Sequence, residues 1–418
     1  MSTSSVYDTI IIGGGPGGST AGAFLGKAGQ RVLLVEREVF PRFHIGESLL
    51  PFGNDVLKES GAWPKVDAAG FQRKYGAEFF VGNGSRWQRF WFARGLVPGY
   101  GQTFQVERAK FDHVLLDHAA SCGCEVRQGC AAREITREDD EWRVKLDNGD
   151  VHSRWVIDAS GRDTFLGRML GLQKKPMDLA KRIAVYAHFK GVYRNPGDAE
   201  GHITIVRLKD GWFWLIPLAG GKMSVGMVCT LNELKRVGGT VEEWFAKTVA
   251  SSSELTRRMD GAERIGEFYK TGDYSYHHDQ LAMDRAIMVG DAAGFIDPIF
   301  SSGVHIATKS AQLATHLIRQ ADQEQRGLTT AEQRRYSRDI HRYMEVYREM
   351  IDMYYDDSAF EVLMHPKGRF GVVPAVNSIL AGNFHPSFRM WWRVKLFHLI
   401  CAIHRRVPIV PRLDYTEA

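Results

Sequence analysis

The spacing of apolar and polar residues changes along the chain and marks out its elements. Residues 7–12, ending in three isoleucines, read as a buried strand, 13–18 as a glycine-rich turn, 17–28 as a helix of small residues and 31–35 as a second strand. The chain therefore opens on a βαβ unit. Residues 108–121 carry a helical pattern, and short alternating segments around 131–137, 141–146 and 151–158 are expected to be strands. Between about 183 and 228 polar and apolar residues alternate as in antiparallel strands, which predicts a second sheet. A strand at 286–289 leads into Gly290-Asp291 and then into a helix beginning near Ser302. From Thr329 the pattern is mostly helical, rich in Arg, Tyr and Met, and no repeat or low-complexity tract interrupts the chain.

Composition narrows the class. A chain of 418 residues with 44% hydrophobic and 25% charged residues has the balance of an ordinary globular protein and enough length for two or three packed units. Its formal net charge of +5 is small for this size and gives no argument for nucleic-acid binding. Five cysteines do not make a disulfide framework, and Cys122-Gly123-Cys124 has no second cluster at metal spacing, so a reducing cytoplasm is expected. The start of the chain lacks the features of a secretory signal, and no apolar run has transmembrane length.

The first turn carries chemistry. Gly13-Gly14-Gly15-Pro16-Gly17-Gly18 fits G-x-G-x-x-G between a strand and a helix. The first Gly permits the tight turn, the second lets backbone approach a pyrophosphate, and the third allows close packing of helix on strand. The helix start offers free amides to the phosphates, and Glu36 at the end of the second strand is placed to accept ribose hydroxyls. A dinucleotide is expected here. No second such fingerprint occurs with a strand and helix around it, so a dedicated nicotinamide domain is not expected.

A second feature lies in the middle sheet. Trp212-Phe213-Trp214-Leu215-Ile216-Pro217 places two indoles on the same face of a strand that Pro217 ends. By itself this is either a strand burying large rings in a core or a wide apolar wall facing a cavity.

Three more motifs resemble the FAD-binding set of the flavin monooxygenase and halogenase superfamily. Arg108 opens Arg-Ala-Lys-Phe-Asp, similar to the motif whose cation lies near the FAD diphosphate. Asp158-Ala159-Ser160-Gly161 resembles the strand-end motif of the FAD domain, and Gly290-Asp291-Ala292-Ala293-Gly294 the motif whose Asp holds the ribityl chain. Around them the chain, over roughly residues 5–320, resembles flavin-dependent halogenases, especially the branch acting on phenols, pyrroles and carrier-tethered aromatics. The stretch from Phe40 to Pro51, with Arg42 and Ser48, is similar to that branch's segment beside the flavin, although related reductases carry it too.

The resemblance implies roles. Trp212, Trp214, Ile216 and Pro217 would form the barrier that keeps organic substrate from the flavin. Lys74, in Phe71-Gln72-Arg73-Lys74-Tyr75-Gly76-Ala77, aligns with the lysine that holds or carries the electrophilic halogen. Either an ammonium that hydrogen-bonds hypohalous acid or a desolvated amine that forms a haloamine suits that role. Ser302-Gly303, at a helix start, matches the two amides that help bind chloride. Phe300 stands where tryptophan halogenases have Glu, which points away from free tryptophan. His305 is expected to be a packed histidine.

The implied fold is α/β: a Rossmann-like FAD-binding domain of the flavin monooxygenase type (1–75, 101–180 and 271–325), an antiparallel sheet domain on the substrate side (76–100 and 181–270) and a helical C-terminal region (326–418). The implied activity uses FAD reduced by a separate flavin reductase, dioxygen, and chloride or bromide to halogenate an electron-rich aromatic, free or on an acyl carrier protein. A related monooxygenase or reductase, and a non-catalytic flavoprotein docking subunit, are the rival readings. Residues 387–406, bracketed by His385-Pro386 and Val407-Pro408, mix aromatic and basic side chains. Such a helix suits packing over the substrate cavity, a membrane surface or an acidic carrier.

Overall fold

The computed structural model describes residues 6–237, 239–272, 275–384 and 387–416. His385 and Pro386, expected to precede the last helix, lie outside the described residues.

The first sheet orders its strands Glu125–Gln128, Val32–Glu36, Tyr7–Ile12 and Gly149–Asp158, all parallel, with Ala286–Met288 parallel to the far side of Gly149–Asp158. Ile10 pairs with Leu33 on one side and Val156 on the other, and all three are fully buried. Sheets covered by helices on their faces need such continuous apolar runs. The first half of Gly149–Asp158 turns away to pair antiparallel with Glu141–Leu146, which pairs in turn with Ala132–Glu138. Helix Pro16–Lys27, made of small residues, packs closely between the helices Arg108–Ser121 and Gly303–Gln323.

The second sheet runs Glu263–Gly272, Arg182–Lys190, Met223–Thr230, Gly211–Pro217, Ile203–Arg207, Gly76–Val81 and Trp87–Trp91. Its ladders are antiparallel except one: Ile203–Arg207 runs parallel to Gly76–Val81, because the two are joined across the whole molecule rather than by a hairpin. The period-2 alternation sorts its side chains by face. Phe213 and Leu215 enter a separate core with Trp244, Phe245 and Leu255, while Trp212, Trp214 and Ile216 face the first sheet.

Beyond these sheets the chain is helical: Thr330–Tyr355, Asp357–Met364, Val372–Leu380 and Phe388–Arg406. The longest opens on a capping box between Thr329 and Glu332. Tyr336, Ile340, Tyr343, Tyr347, Ile351 and Tyr354 recur at helical spacing along its buried face. Among the described residues no helix is long and apolar enough to cross a membrane.

Candidate active site

A cavity of about 730 Å³ runs between the two sheets. It is lined at one end by Gly13, Gly15, Pro16, Gly17 and Glu36, in the middle by Arg42, Ser48, Arg108, Gly161, Gly290 and Asp291, and at the other end by Trp212, Trp214, Ile216, Ser302 and Gly303. Motifs scattered over nearly 300 positions of sequence thus converge on one space.

Backbone geometry explains the first end. Gly13 has φ +106°, and a Cβ there would stand 2.3 Å from the Ala159 carbonyl oxygen; a Cβ on Gly18 would stand 1.9 Å from the Gly13 carbonyl oxygen. These two glycines let strand, turn and helix close on one another, and Gly18 is packed away from the cavity. A Cβ on Gly15 would instead point toward the cavity beside Arg42, 3.7 Å from its guanidinium. The Glu36 carboxylate accepts the Gly14 amide at 2.7 Å and the Glu38 amide at 2.9 Å, which fixes its orientation at the strand end.

The charged groups differ in how they are held. The Arg108 guanidinium donates to both carboxylate oxygens of buried Asp112, at 2.7 and 2.9 Å, and to the Ile45 carbonyl at 2.8 Å. Arg42 reaches the same Asp112 at 3.2 Å. Asp291 sits in the short turn Gly290–Ala292, where desolvation pushes its carboxyl up to about 6 against the pull of Arg108 and Arg162. Asp158 does not line the cavity: its oxygens accept the amides of Ser160 and Leu166, at 3.0 and 2.7 Å, and so shape the turn that carries Gly161.

At the far end the two indoles are buried, their rings 6.0 Å apart and tilted by 53°. Pro217 is the last residue of their strand and lies outside the cavity wall. The Trp212 indole N–H donates to the Tyr355 hydroxyl at 2.8 Å, and that hydroxyl donates to Asp297 Oδ2 at 3.2 Å. Asp297 also accepts the Ile299 amide at 3.0 Å, at the head of the turn Pro298–Phe300. Ser301 follows with φ +57°, and Ser302 then caps helix Gly303–Gln323 without a side-chain cap bond. A helix start of this kind presents unpaired amides and the positive end of a 21-residue dipole.

Lys74 lies one side chain behind the wall. It ends the short strand Gln72–Lys74 and is 1% exposed. Its Nζ donates to Ser48 Oγ and to the Leu49 carbonyl, both at 2.8 Å, and stands 5.2 Å from the Phe92 ring centre. Burial pushes its ammonium down to about 7. Ser48 lines the cavity, so a single hydroxyl separates the lysine from that space.

Other residues complete the site, Phe43 and Glu47 from the Phe40–Pro51 stretch that the resemblance marks and others from outside any motif. Glu47 is almost fully buried and accepts from His188 Nε2 at 3.0 Å, and Phe43 stacks on Tyr269 at 4.2 Å beside Tyr186. Tyr186 and His188 share a face of Arg182–Lys190, so the strand's alternation is the signal that would have found them. Asp297 lies in the 295–303 segment that leads into the helix, whereas Tyr355 comes from a distant helix and carries no such signal. His305 stacks on Phe384 at 4.2 Å, as a packed histidine would. Phe300 is buried with its ring edge-on to Tyr354.

Comparison with known proteins identifies the class. A family model described as tryptophan halogenase matches residues 8–96 and 61–361. A 1H-pyrrole-2-carbonyl-(peptidyl-carrier protein) chlorinase of Pseudomonas fluorescens is 34% identical over 337 residues, 74% of this chain and 75% of the relative. Among solved structures, a flavoprotein/dehydrogenase from Cytophaga hutchinsonii superposes with a TM-score of 0.88 at 29% identity, covering 96% of this chain and 99% of that one. A flavin-dependent brominase superposes at 0.84 and 27% identity, covering 96% and 100%. The chain belongs to the tryptophan halogenase family. It is a flavin-dependent halogenase, with FAD as cofactor and chloride or bromide as co-substrate, that halogenates an electron-rich aromatic in secondary metabolism. The cavity fits that cofactor: it has an open glycine cradle at a helix start, an oriented carboxylate at the neighbouring strand end, and length enough to reach the indole wall.

Proposed function

We propose that Gly13, Gly15, Pro16 and Gly17 hold the FAD pyrophosphate and Glu36 the adenosine ribose, with Gly18 closing the turn beneath them. Arg42, Ser48, Arg108, Gly161, Gly290 and Asp291 line the rest of the cofactor's course, and Asp158 acts through the turn it shapes. Reduced FAD arrives from a separate flavin reductase and supplies, with dioxygen, the two-electron oxidation that turns halide into an electrophilic halogen. Ser302 and Gly303 hold the halide through amides at the helix start. Trp212, Trp214 and Ile216, with Pro217 ending their strand, keep the aromatic acceptor on the other side. Lys74 receives the halogen and presents it to the ring, where the new carbon–halogen bond replaces a C–H bond whose hydrogen leaves as a proton.

The observation that carries this reading is Lys74. A lysine this buried, with only neutral acceptors and an ammonium that burial pushes down to about 7, is out of place in a packing role and sits one hydroxyl from the flavin cavity. The acceptor is an electron-rich ring of the pyrrole or phenol type, tethered to a carrier protein. The Pseudomonas relative acts on such a carrier-bound pyrrole. Phe300 supports the exclusion of free tryptophan, because an apolar ring packed edge-on to Tyr354 stands where tryptophan halogenases have Glu.

The test is product analysis with pure protein, reduced FAD, dioxygen, chloride and bromide, and a pyrrole-2-carbonyl-loaded carrier domain. Halogenated product is expected, and Lys74→Ala should lose more than about 99% of it with FAD binding unchanged. The structural likeness to a flavoprotein/dehydrogenase keeps one rival in view. Hydroxylated or dehydrogenated product without halogenation would establish that rival, and normal halogenation by Lys74→Ala would refute the role of the lysine.

A further inference from the structure

A second large space shares no lining residue with the cofactor cavity: a groove of about 1090 Å³ between helices Thr330–Tyr355 and Phe388–Arg406. Its apolar lining comes from Val346, Met350, Ile379, Val394 and half-exposed Trp391. Along one edge stand Arg334, Arg338 and Arg342, exposed and spaced four residues apart on a single helix. Residues at this spacing lie one above another, so the three guanidinium groups form a row.

The charges around this row are sorted by face. Arg335 and Arg348, on the same helix but outside the groove, are paired, with Asp339 and with Glu345 and Asp352. The acids that line the groove are likewise already engaged: Asp279 with Lys175, Glu345 with Arg348, and Glu349 with Lys395 and His398. Among the described residues, Arg334, Arg338 and Arg342 make no ion pair or side-chain hydrogen bond. Like charges four apart oppose helix formation. The groove therefore combines an apolar floor with a row of three arginines that, among the described residues, make no ion pair.

We infer that this groove is the docking surface for the carrier domain that brings the aromatic acceptor, an inference that rests on the carrier-tethered reading above. A carrier joins its thiol-bearing arm to a serine through a phosphodiester, so its docking side presents an anion beside an apolar helix surface. Arginine is suited to phosphate because its planar fork gives two parallel hydrogen bonds. The row Arg334, Arg338 and Arg342 receives the phosphodiester and flanking acidic side chains, and Trp391 with Val394 and Met350 receives the carrier's apolar face. An exposed Trp beside arginines is also the composition of an interface anchor.

The experiment measures binding of a fluorescent pyrrole-2-carbonyl-loaded carrier domain to the FAD-loaded enzyme. Charge reversal in Arg334→Glu/Arg338→Glu/Arg342→Glu should weaken binding by more than about tenfold and flatten its dependence on salt between about 50 and 300 mM. FAD affinity and melting temperature serve as integrity controls. Trp391→Ala should weaken the same binding severalfold, which keeps the test alive if the triple variant does not fold. Binding within twofold of wild type in both variants overturns the docking surface and leaves carrier use intact. Wild-type enzyme that halogenates a free phenol yet binds no loaded carrier overturns the carrier reading and the surface with it. Arginine-dependent retention on anionic lipid vesicles without carrier binding assigns the groove to a membrane and overturns the proposal.

Discussion

Lys74 holds a charge where the surrounding protein offers no counter-charge. Desolvation alone brings its ammonium from the ordinary lysine range down to about 7, so near neutral pH the amine and ammonium forms coexist. Both forms satisfy its two acceptors. As an amine it donates both N–H groups to Ser48 and Leu49 and keeps a lone pair for a halogen; as an ammonium it keeps one N–H for hypohalous acid. The sign of its effect on stability follows by linkage. The unfolded chain holds this proton up to the ordinary lysine pKa, whereas the folded chain releases it near 7, so the wild type gains stability as pH rises from about 7 to about 10.5. Below about 7 it bears the full cost of a buried charge. Lys74→Met, similar in length and uncharged, should therefore be most stabilised relative to wild type at pH 6, with the advantage shrinking between pH 7 and 10. Thermal melts of both proteins across that range check it; a difference in melting temperature that does not change with pH would show that the lysine is not buried as a titrating group.

The strand Gly211–Pro217 and the turn before helix Gly303–Gln323 are joined by a third element. Tyr355, the last residue of helix Thr330–Tyr355, takes the Trp212 N–H and gives its own O–H to Asp297, so barrier and proposed halide site are fixed to each other through one hydroxyl. Loss of that hydroxyl leaves a buried indole N–H unpaired and lets wall and turn move independently. Tyr355→Phe should leave FAD affinity unchanged, raise the halide KM by about three- to tenfold and increase hydrogen peroxide released per halogenated product. Parallel assays of halide saturation and peroxide yield measure it, and an unchanged ratio of peroxide to product would remove Tyr355 from the barrier's support. This join also shows where sequence reading ends. The βαβ opening was legible because strand, turn and helix are contiguous and each obeys its own period; the indole wall was legible because period 2 puts Trp212 and Trp214 on one face. Tyr355 arrives from 143 residues away, with ordinary helical spacing around it. The strand Gln72–Lys74 pairs with Thr103–Gln105, and Gly76–Val81 runs parallel to Ile203–Arg207; both pairings depend on tertiary contact rather than local pattern. Lys74 itself was legible only through resemblance, since three residues of strand have no period to read.

At the scale of the whole molecule, the cofactor cavity has one glycine-rich cradle, at Gly13 to Gly17, and the 418-residue sequence contains no second such fingerprint framed by strand and helix. The groove at the C-terminal helices has arginines but is bounded by helix sides, without the strand-to-helix turn that binds a dinucleotide. In the reading proposed above, electrons enter as reduced flavin that diffuses in, which makes the cradle both the binding site and the route of supply. The expected consequence is kinetic. NADH added to the pure protein with oxidised FAD should give no NADH oxidation above the uncatalysed rate. On that reading any unrelated flavin reductase, or photochemically reduced FAD, should support halogenation equally once the supply of reduced flavin is matched. Gly15→Val places a branched side chain where the cradle opens beside Arg42, and should weaken FAD binding by more than about tenfold whichever reductant is used. Yield measured against reduced-flavin concentration for several donors decides the matter: one common curve is the expected result, and a strong advantage for a single reductase at matched supply would mean that the two proteins meet through a specific surface and transfer flavin within a complex.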